Sequence, residues 1–191
     1  MDRHSIITLP HSNLRRRSQK VSVITDDVRQ IIEDMKAATL DWEDNRNHEV
    51  GVALAAVQID KLYRIVIIRD DFDDKNNRNF VVFINPTIAK YDGEIVEDYE
   101  GCLSIKDIYG KVRRYNKVKV DAMNEHGKHF RITAEGFLAR VFQHEIDHTN
   151  GIVYIDHIKD KPEAFYHLDK DGKLIPLNYA THIKDNEDLW D

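Results

Sequence analysis

The chain has 191 residues and a mass of 22.4 kDa, with 41% apolar residues, 32% charged residues and a formal net charge of −6. This composition excludes a disordered or collagen-like chain and a general nucleic-acid binder, which needs basic patches; Cys102, the one cysteine, excludes an internal disulfide framework. The length predicts a single domain able to bury its own core.

Residues 3–24 carry Arg3, Arg15, Arg16, Arg17 and Lys20 and no acid. The segment reads as a surface loop of the folded domain, although a basic, acid-poor start also describes a transit peptide. No apolar run approaches the ~18 residues of a membrane helix and no signal-peptide core follows Met1, so the expectation is a soluble cytoplasmic protein.

Val28, Ile31, Ile32, Met35 and Trp42 fall at helical spacing behind Thr25, Asp26 and Asp27, which predicts a first helix over 26–42. Residues 43–50 read as a polar loop. Gly51–Gln58 is apolar but too short for a free-standing helix. Tyr63–Arg69 is β-branched and predicts a buried strand. Asp70–Asn79 is a solvated loop without the glycine that a calcium-binding EF-hand needs.

Phe80–Ile84 predicts a strand stopped by Asn85-Pro86. Asp92-Gly93 reads as a turn across which Glu94–Tyr99 pairs back. Val118–Met123 and Lys128–Ile132 flank a four-residue hairpin loop, Asn124–Gly127. A second helix follows, capped by Thr133, with Phe137, Leu138, Val141 and Phe142 on its apolar face and Asn150-Gly151 at its end. Residues 152–158 read as extended. The weakly patterned remainder turns at Asp169–Gly172, and residues 160–191 hold eight acids against four lysines. Strands dominate the middle of the chain. The expected class is α+β, with mostly antiparallel sheets around a C-terminal metal-binding helix and a helix at the N-terminal end. No glycine-rich phosphate loop follows any strand.

The second helix carries His144-Glu145-Ile146-Asp147-His148. Histidines at i and i+4 have Cα atoms about 6 Å apart and about 40° around the axis, so both imidazoles reach one metal. Glu145, one step round, reaches a water on that metal. A catalytic site wants a third protein ligand. Tyr154 stands where an HExxHxxGxxH pattern would place a histidine, and it is a poor substitute. Glu163 is only fifteen residues on in an unpatterned stretch, and Asp156 and His157 are spare candidates. Cys102 completes a Cys-His₂ set, which suits Zn²⁺ or Fe²⁺ rather than Mg²⁺ or Ca²⁺. By itself Gln58 reads as a polar residue closing a turn.

Three segments together resemble peptide deformylase: Gly51-Val-Ala-Leu-Ala-Ala-Val-Gln58, Glu100-Gly-Cys-Leu-Ser104 and Gln143-His-Glu-Ile-Asp-His148. The resemblance covers roughly residues 5–160 and makes 1–191 a single catalytic domain with an acidic extension over 161–191. It implies removal of the formyl group from the formyl-methionine that starts new polypeptides. The implied metal ligands are Cys102, His144 and His148. The implied ion is Fe²⁺, with Zn²⁺, Ni²⁺ or Co²⁺ able to occupy the site. Glu145 is implied as the proton carrier, and the Gln58 side chain and Leu103 backbone N–H as oxyanion donors. The implied substrate contacts are Val52 and Gly101 for the peptide backbone and Val52, Phe137 and Val141 for the methionine side chain. Glu100 and Arg114 are implied as a supporting ion pair, with a structural role for Asp147. The implied partners are N-formylmethionyl nascent peptides, with ribosome proximity as a corollary and neither nucleic acid nor membrane. Ala53 departs from the family, which has glycine there. A Cβ would matter if the backbone had to adopt a positive φ, and the expectation is that activity is retained.

Overall fold

A computed structural model describes residues 6–46, 49–72, 74 and 76–190. Arg3 of the basic segment and parts of the two predicted polar loops lie outside the described residues. The architecture is mixed α and β, with an antiparallel sheet and few helices. Among the described residues, strands β1 (Ala53–Ala55), β2 (Ile65–Arg69), β3 (Phe80–Cys102), β4 (Ile105–Met123), β6 (Phe165–Leu168) and β7 (Leu174–Pro176) lie in that order. β5 (His129–Glu135) also pairs with β4, and every pairing between these strands is antiparallel.

The apolar run in β2 has a plain cause. Side chains alternate faces along a strand, and here both faces are covered. Ile65 and Ile67 join Leu54 and Ala56 in a core under helix α1 (Asp26–Asp44). Val66 and Ile68 join Ala53, Ala55 and Val57 in a second core against helix α2 (Gly136–Thr149). α1 begins where expected: the Thr25 hydroxyl accepts from Val28 N (3.4 Å), and Val28, Ile31, Ile32 and Met35 are buried.

The basic N-terminal segment is more than a surface loop. Leu14 and Val21 are buried, and Ile7 N and Leu9 N donate to the carbonyls of Gln58 (2.8 Å) and Ser104 (3.0 Å).

Four local expectations are corrected. Asn85-Pro86 does not stop its strand. Asn85 adopts φ +53° at a register shift and exchanges two side-chain hydrogen bonds with the backbone of Val21, so β3 continues past the proline through a bulge. Asp92-Gly93 is not a hairpin turn. Gly93 takes φ +70° inside β3, opposite Lys117, and the extra length is absorbed by a register shift between Asp92 and Ile95. Thr133 is not the cap of α2. It pairs with Lys119 in β5, and the strand turns into the helix through Gly136 at φ +58°. Residues 152–158 are not extended throughout. Tyr154–His157 form a short 3-10 helix whose Tyr154 and Ile155 are buried.

The weakly patterned tail is also structured. The β6–β7 hairpin turns at Gly172, and two one-turn helices follow, α3 (Tyr179–His182) and α4 (Glu187–Trp190). Phe165, Ile183 and Leu189 pack with Tyr154 and Ile158 in a third core.

Gly151 ends α2 at φ +77°, where a Cβ would lie 2.5 Å from the Arg15 carbonyl oxygen. Gly127 has φ +79°, but the nearest atom to its Cβ would be 3.8 Å away. Gly151→Ala should therefore cost ~2–3 kcal/mol, against ~1 kcal/mol for Gly127→Ala. Urea unfolding of the two variants measures this, and equal losses would contradict the packing assigned to Gly151.

Candidate active site

Cys102 ends β3, and β4 begins three residues on. His144 and His148 lie one turn apart on α2, beneath that connection. Cys102 Sγ is 3.2 Å from His148 Nε2, which is 3.2 Å from His144 Nε2, and all three donor atoms lie within 4.8 Å of one another. These separations match the edges of a tetrahedron with metal–ligand bonds of about 2.0–2.3 Å. The donor set therefore fits a divalent ion of borderline softness. Burial raises the Cys102 thiol, but His148 and His144 outweigh it and bring the thiol down to about 5. At neutral pH the sulfur is a thiolate, the form that binds metal.

His144 is aimed by its other nitrogen. Nδ1 is 2.9 Å from Glu100 Oε2 and donates to it, which leaves Nε2 facing the cluster. Glu100 is buried and also accepts from Arg114 Nε (2.9 Å), Arg114 Nη2 (3.1 Å) and Arg140 Nη1 (2.8 Å). Burial raises its carboxyl, but hydrogen bonds from His144 and Arg114 hold it well below the usual carboxylate range. Arg114 reaches on to Asp147 Oδ2 (2.6 Å), which His157 Nε2 also meets (2.7 Å).

Glu145 is buried among the same groups, and its Oε2 has no hydrogen-bond partner. Burial lifts its carboxyl to about 7, against the opposing pull of His144 and His148. Gln58 sits in a 3-10 turn, Ala56–Ile59, directly after β1. Its Oε1 accepts from Ala55 N (2.9 Å), while its Nε2 donates to Ser104 Oγ (3.1 Å) and points at Cys102 Sγ (3.5 Å). Gln58 thus closes the turn and also faces the cysteine.

A cavity of about 820 Å³ opens onto these groups. Val52, Gln58, Glu100, Gly101, Cys102, Leu103, Phe137, Val141, His144 and Glu145 line it, whereas His148 and Arg114 lie behind it. Phe137 is half exposed and Val141 is buried. Gly101 is required where it stands, because a Cβ would lie 2.7 Å from the Tyr109 ring. Ala53 lies in β1 opposite Ile68 and is not among the residues with positive φ, so its Cβ brings no backbone strain. Tyr154 is no ligand. Its ring stacks on His144 at 5.9 Å and its hydroxyl donates to the Ile108 carbonyl (2.8 Å).

Sequence reasoning missed three supports. Arg140 precedes His144 by four residues, and that spacing on one helix face is the signal that could have found it. Ser104 holds Gln58 and stands in the Cys102 motif. The buried Arg69 fixes the segment before β1: it pairs with Glu43 of α1 and donates to the carbonyls of Gly51 (3.2 Å) and Asn77 (2.7 Å), while Gly51 N donates to Glu43 Oε2 (2.8 Å). Only fold contacts could reveal that pair.

The family model for polypeptide deformylase matches residues 3–164. Peptide deformylase 2 of Clostridium acetobutylicum is 42% identical over 77% of this chain and 89% of its own length. The peptide deformylase of Brachyspira hyodysenteriae is 40% identical over 90% and 88%. Among solved structures, a Synechococcus elongatus peptide deformylase in complex with actinonin aligns with a TM-score of 0.72 at 34% identity, covering 82% of this chain and 80% of that one. A Legionella pneumophila peptide deformylase aligns with a TM-score of 0.71 at 37% identity, covering 80% and 83%.

Arg69→Met leaves the Glu43 carboxylate against the core without its cation. It should lower the unfolding free energy by ~3 kcal/mol, with Glu43→Leu combined with Arg69→Met less damaging than Arg69→Met alone. A double-mutant cycle in urea checks both statements.

Proposed function

The chain belongs to the polypeptide deformylase family, and we propose that Cys102, His144 and His148 hold the metal with which it works. The protein is a hydrolase that removes the N-formyl group from nascent peptides, the activity of this metal-dependent family. The observation that carries the site assignment is the convergence of three donor atoms beside a buried carboxyl with an unpartnered oxygen. We infer Fe²⁺ as the resident ion from the family resemblance; the mixed thiolate and imidazole donor set accepts Zn²⁺, Ni²⁺ or Co²⁺ as well.

A divalent ion in this set supplies a Lewis acid that lowers the pKa of water and polarises the formyl carbonyl. Glu145 takes the proton from the attacking water. Its buried position beside the cluster suits both that step and the return of the proton to the leaving amine. Water adds to the formyl carbon, the carbon–nitrogen bond breaks, and formate and a free α-amine result. We assign the Gln58 amide and the Leu103 backbone N–H as donors to the oxygen that gains charge. The Gln58 bonds to Ala55 and Ser104 hold that amide in place before the reaction.

The substrate backbone is assigned to the open edge of β1, which is the terminal strand of the sheet, with contacts from Val52 and Gly101. The methionine side chain is assigned to the wall of Val52, Phe137 and Val141. Glu100 and Arg114 act by holding His144 and the Cys102 segment. Residues 1–191 are read as one catalytic domain with 161–191 as its extension. No helix among the described residues is long and apolar enough to cross a membrane. We infer from this substrate that the protein works near the ribosome and in the cytoplasm.

The test is anaerobic purification, metal analysis and formate release from a formyl-Met tripeptide. Glu145→Gln should keep the metal and lower kcat by about 10²–10⁴. Cys102→Ser should lose most of the metal together with activity. Turnover that survives chelation, or metal retained in full by Cys102→Ser, would contradict the assignment.

A further inference from the structure

The cavity that reaches the metal ligands is lined by more than the three motifs. Leu168 and Gly172 also line it, and both belong to the β6–β7 hairpin, past residue 164 where the family match ends. The hairpin is anchored. Phe165 is buried in the third core, and Tyr166 pairs with Tyr109 in β4. Tyr166 also meets Tyr99 edge to face at 5.0 Å, and Tyr99 is itself a cavity wall. The Lys111 ammonium lies over both rings, at 5.1 and 5.7 Å. Side chains two apart share one face of a strand, so Leu168 shares a face with Tyr166, and it lines the cavity itself. The pairing register carries it toward Asp107 and the segment that begins at Cys102. The tip is tight as well, because Asp169 Oδ1 accepts from Asp171 N (2.9 Å) and Lys173 N (2.8 Å).

The volume, about 820 Å³, is that of a pocket for a drug-sized ligand, more than one methionyl residue fills. A nascent chain continues past its first residue and must occupy the remainder. Ile105 and Ile108 supply apolar surface to the same lining, alongside the charged Lys106 and Asp107.

We propose that Leu168, in the C-terminal hairpin, is a specificity residue that favours an apolar side chain at one position following the formyl-methionine. This rests on the deformylase reading of the site. Leu168 has no group that carries a proton or holds a metal, so it acts on peptide binding and not on the chemical step.

The experiment uses the full chain and its Leu168→Ala variant. Substrates are formyl-Met-Ser and formyl-Met followed by three serines, with a single Leu placed in turn at the second, third or fourth residue. The unaltered chain should prefer Leu at one of these places. Leu168→Ala should reduce that preference by about fivefold through KM, as expected for partial burial of a leucine side chain. It should leave kcat on every peptide, and all constants for formyl-Met-Ser, unchanged. No preference in the unaltered chain, a preference the variant keeps, or an equal loss on formyl-Met-Ser would overturn the role of Leu168 alone. Absence of formate from every peptide with the unaltered, metal-loaded chain would overturn the reading beneath it as well.

Discussion

One buried carboxylate ties the molecule together. Glu100, on β3, accepts from Arg114 on β4 and from Arg140 and His144 on α2. Two guanidinium groups would be intolerable in this interior without compensation. Glu100 and Asp147 balance their charge, and the remaining Arg140 donors go to the carbonyls of Val96, Asp98 and Val112. The strand that delivers Cys102 and the helix that delivers both histidines are thereby locked to each other. The lock also sets which nitrogen of His144 is free to bind. A polar network of this kind, satisfied on nearly every donor, defines one arrangement rather than several.

The rest of the fold serves that junction. α1 and α2 cover opposite faces of β1 and β2, which keeps the β1 edge and Gln58 at a fixed height beside α2. Arg69 and Glu43 pin the chain just before β1. Tyr154 backs His144 from the far side, and Gly110 makes room for it, since a Cβ there would lie 2.8 Å from its ring. The site thus sits where a sheet edge, a strand end and a helix face meet, and each side has its own anchor.

Much of this was legible. The 3.6-residue spacing and the Thr25 cap marked α1 because an amphipathic helix against a sheet leaves that pattern. The β-branched run marked β2 because both its faces are buried. The His-Glu-His spacing and the lone cysteine marked the three groups whose donor atoms the fold brings together. What stayed hidden depends on distant partners. Pro86 and Gly93 look like strand breakers, yet bulges in a long paired ribbon absorb them. Arg140 looks like an exposed helix residue until Glu100 is brought beneath it. The C-terminal hairpin is short, with a polar turn, and its order comes from Phe165 and Tyr166 pairing with Gly110 and Tyr109, more than fifty positions earlier.

The Glu100 carboxylate sets the geometry of the Cys102, His144 and His148 cluster. The most direct measurement is the metal dissociation constant of Glu100→Gln, by chelator competition under anaerobic conditions. The amide keeps the shape but gives up the charge and one acceptor. Metal binding should weaken by about 10–100-fold, the usual penalty for losing a partner that orients a ligating histidine. A folded Glu100→Gln protein that binds the metal as tightly as the unaltered chain would contradict it.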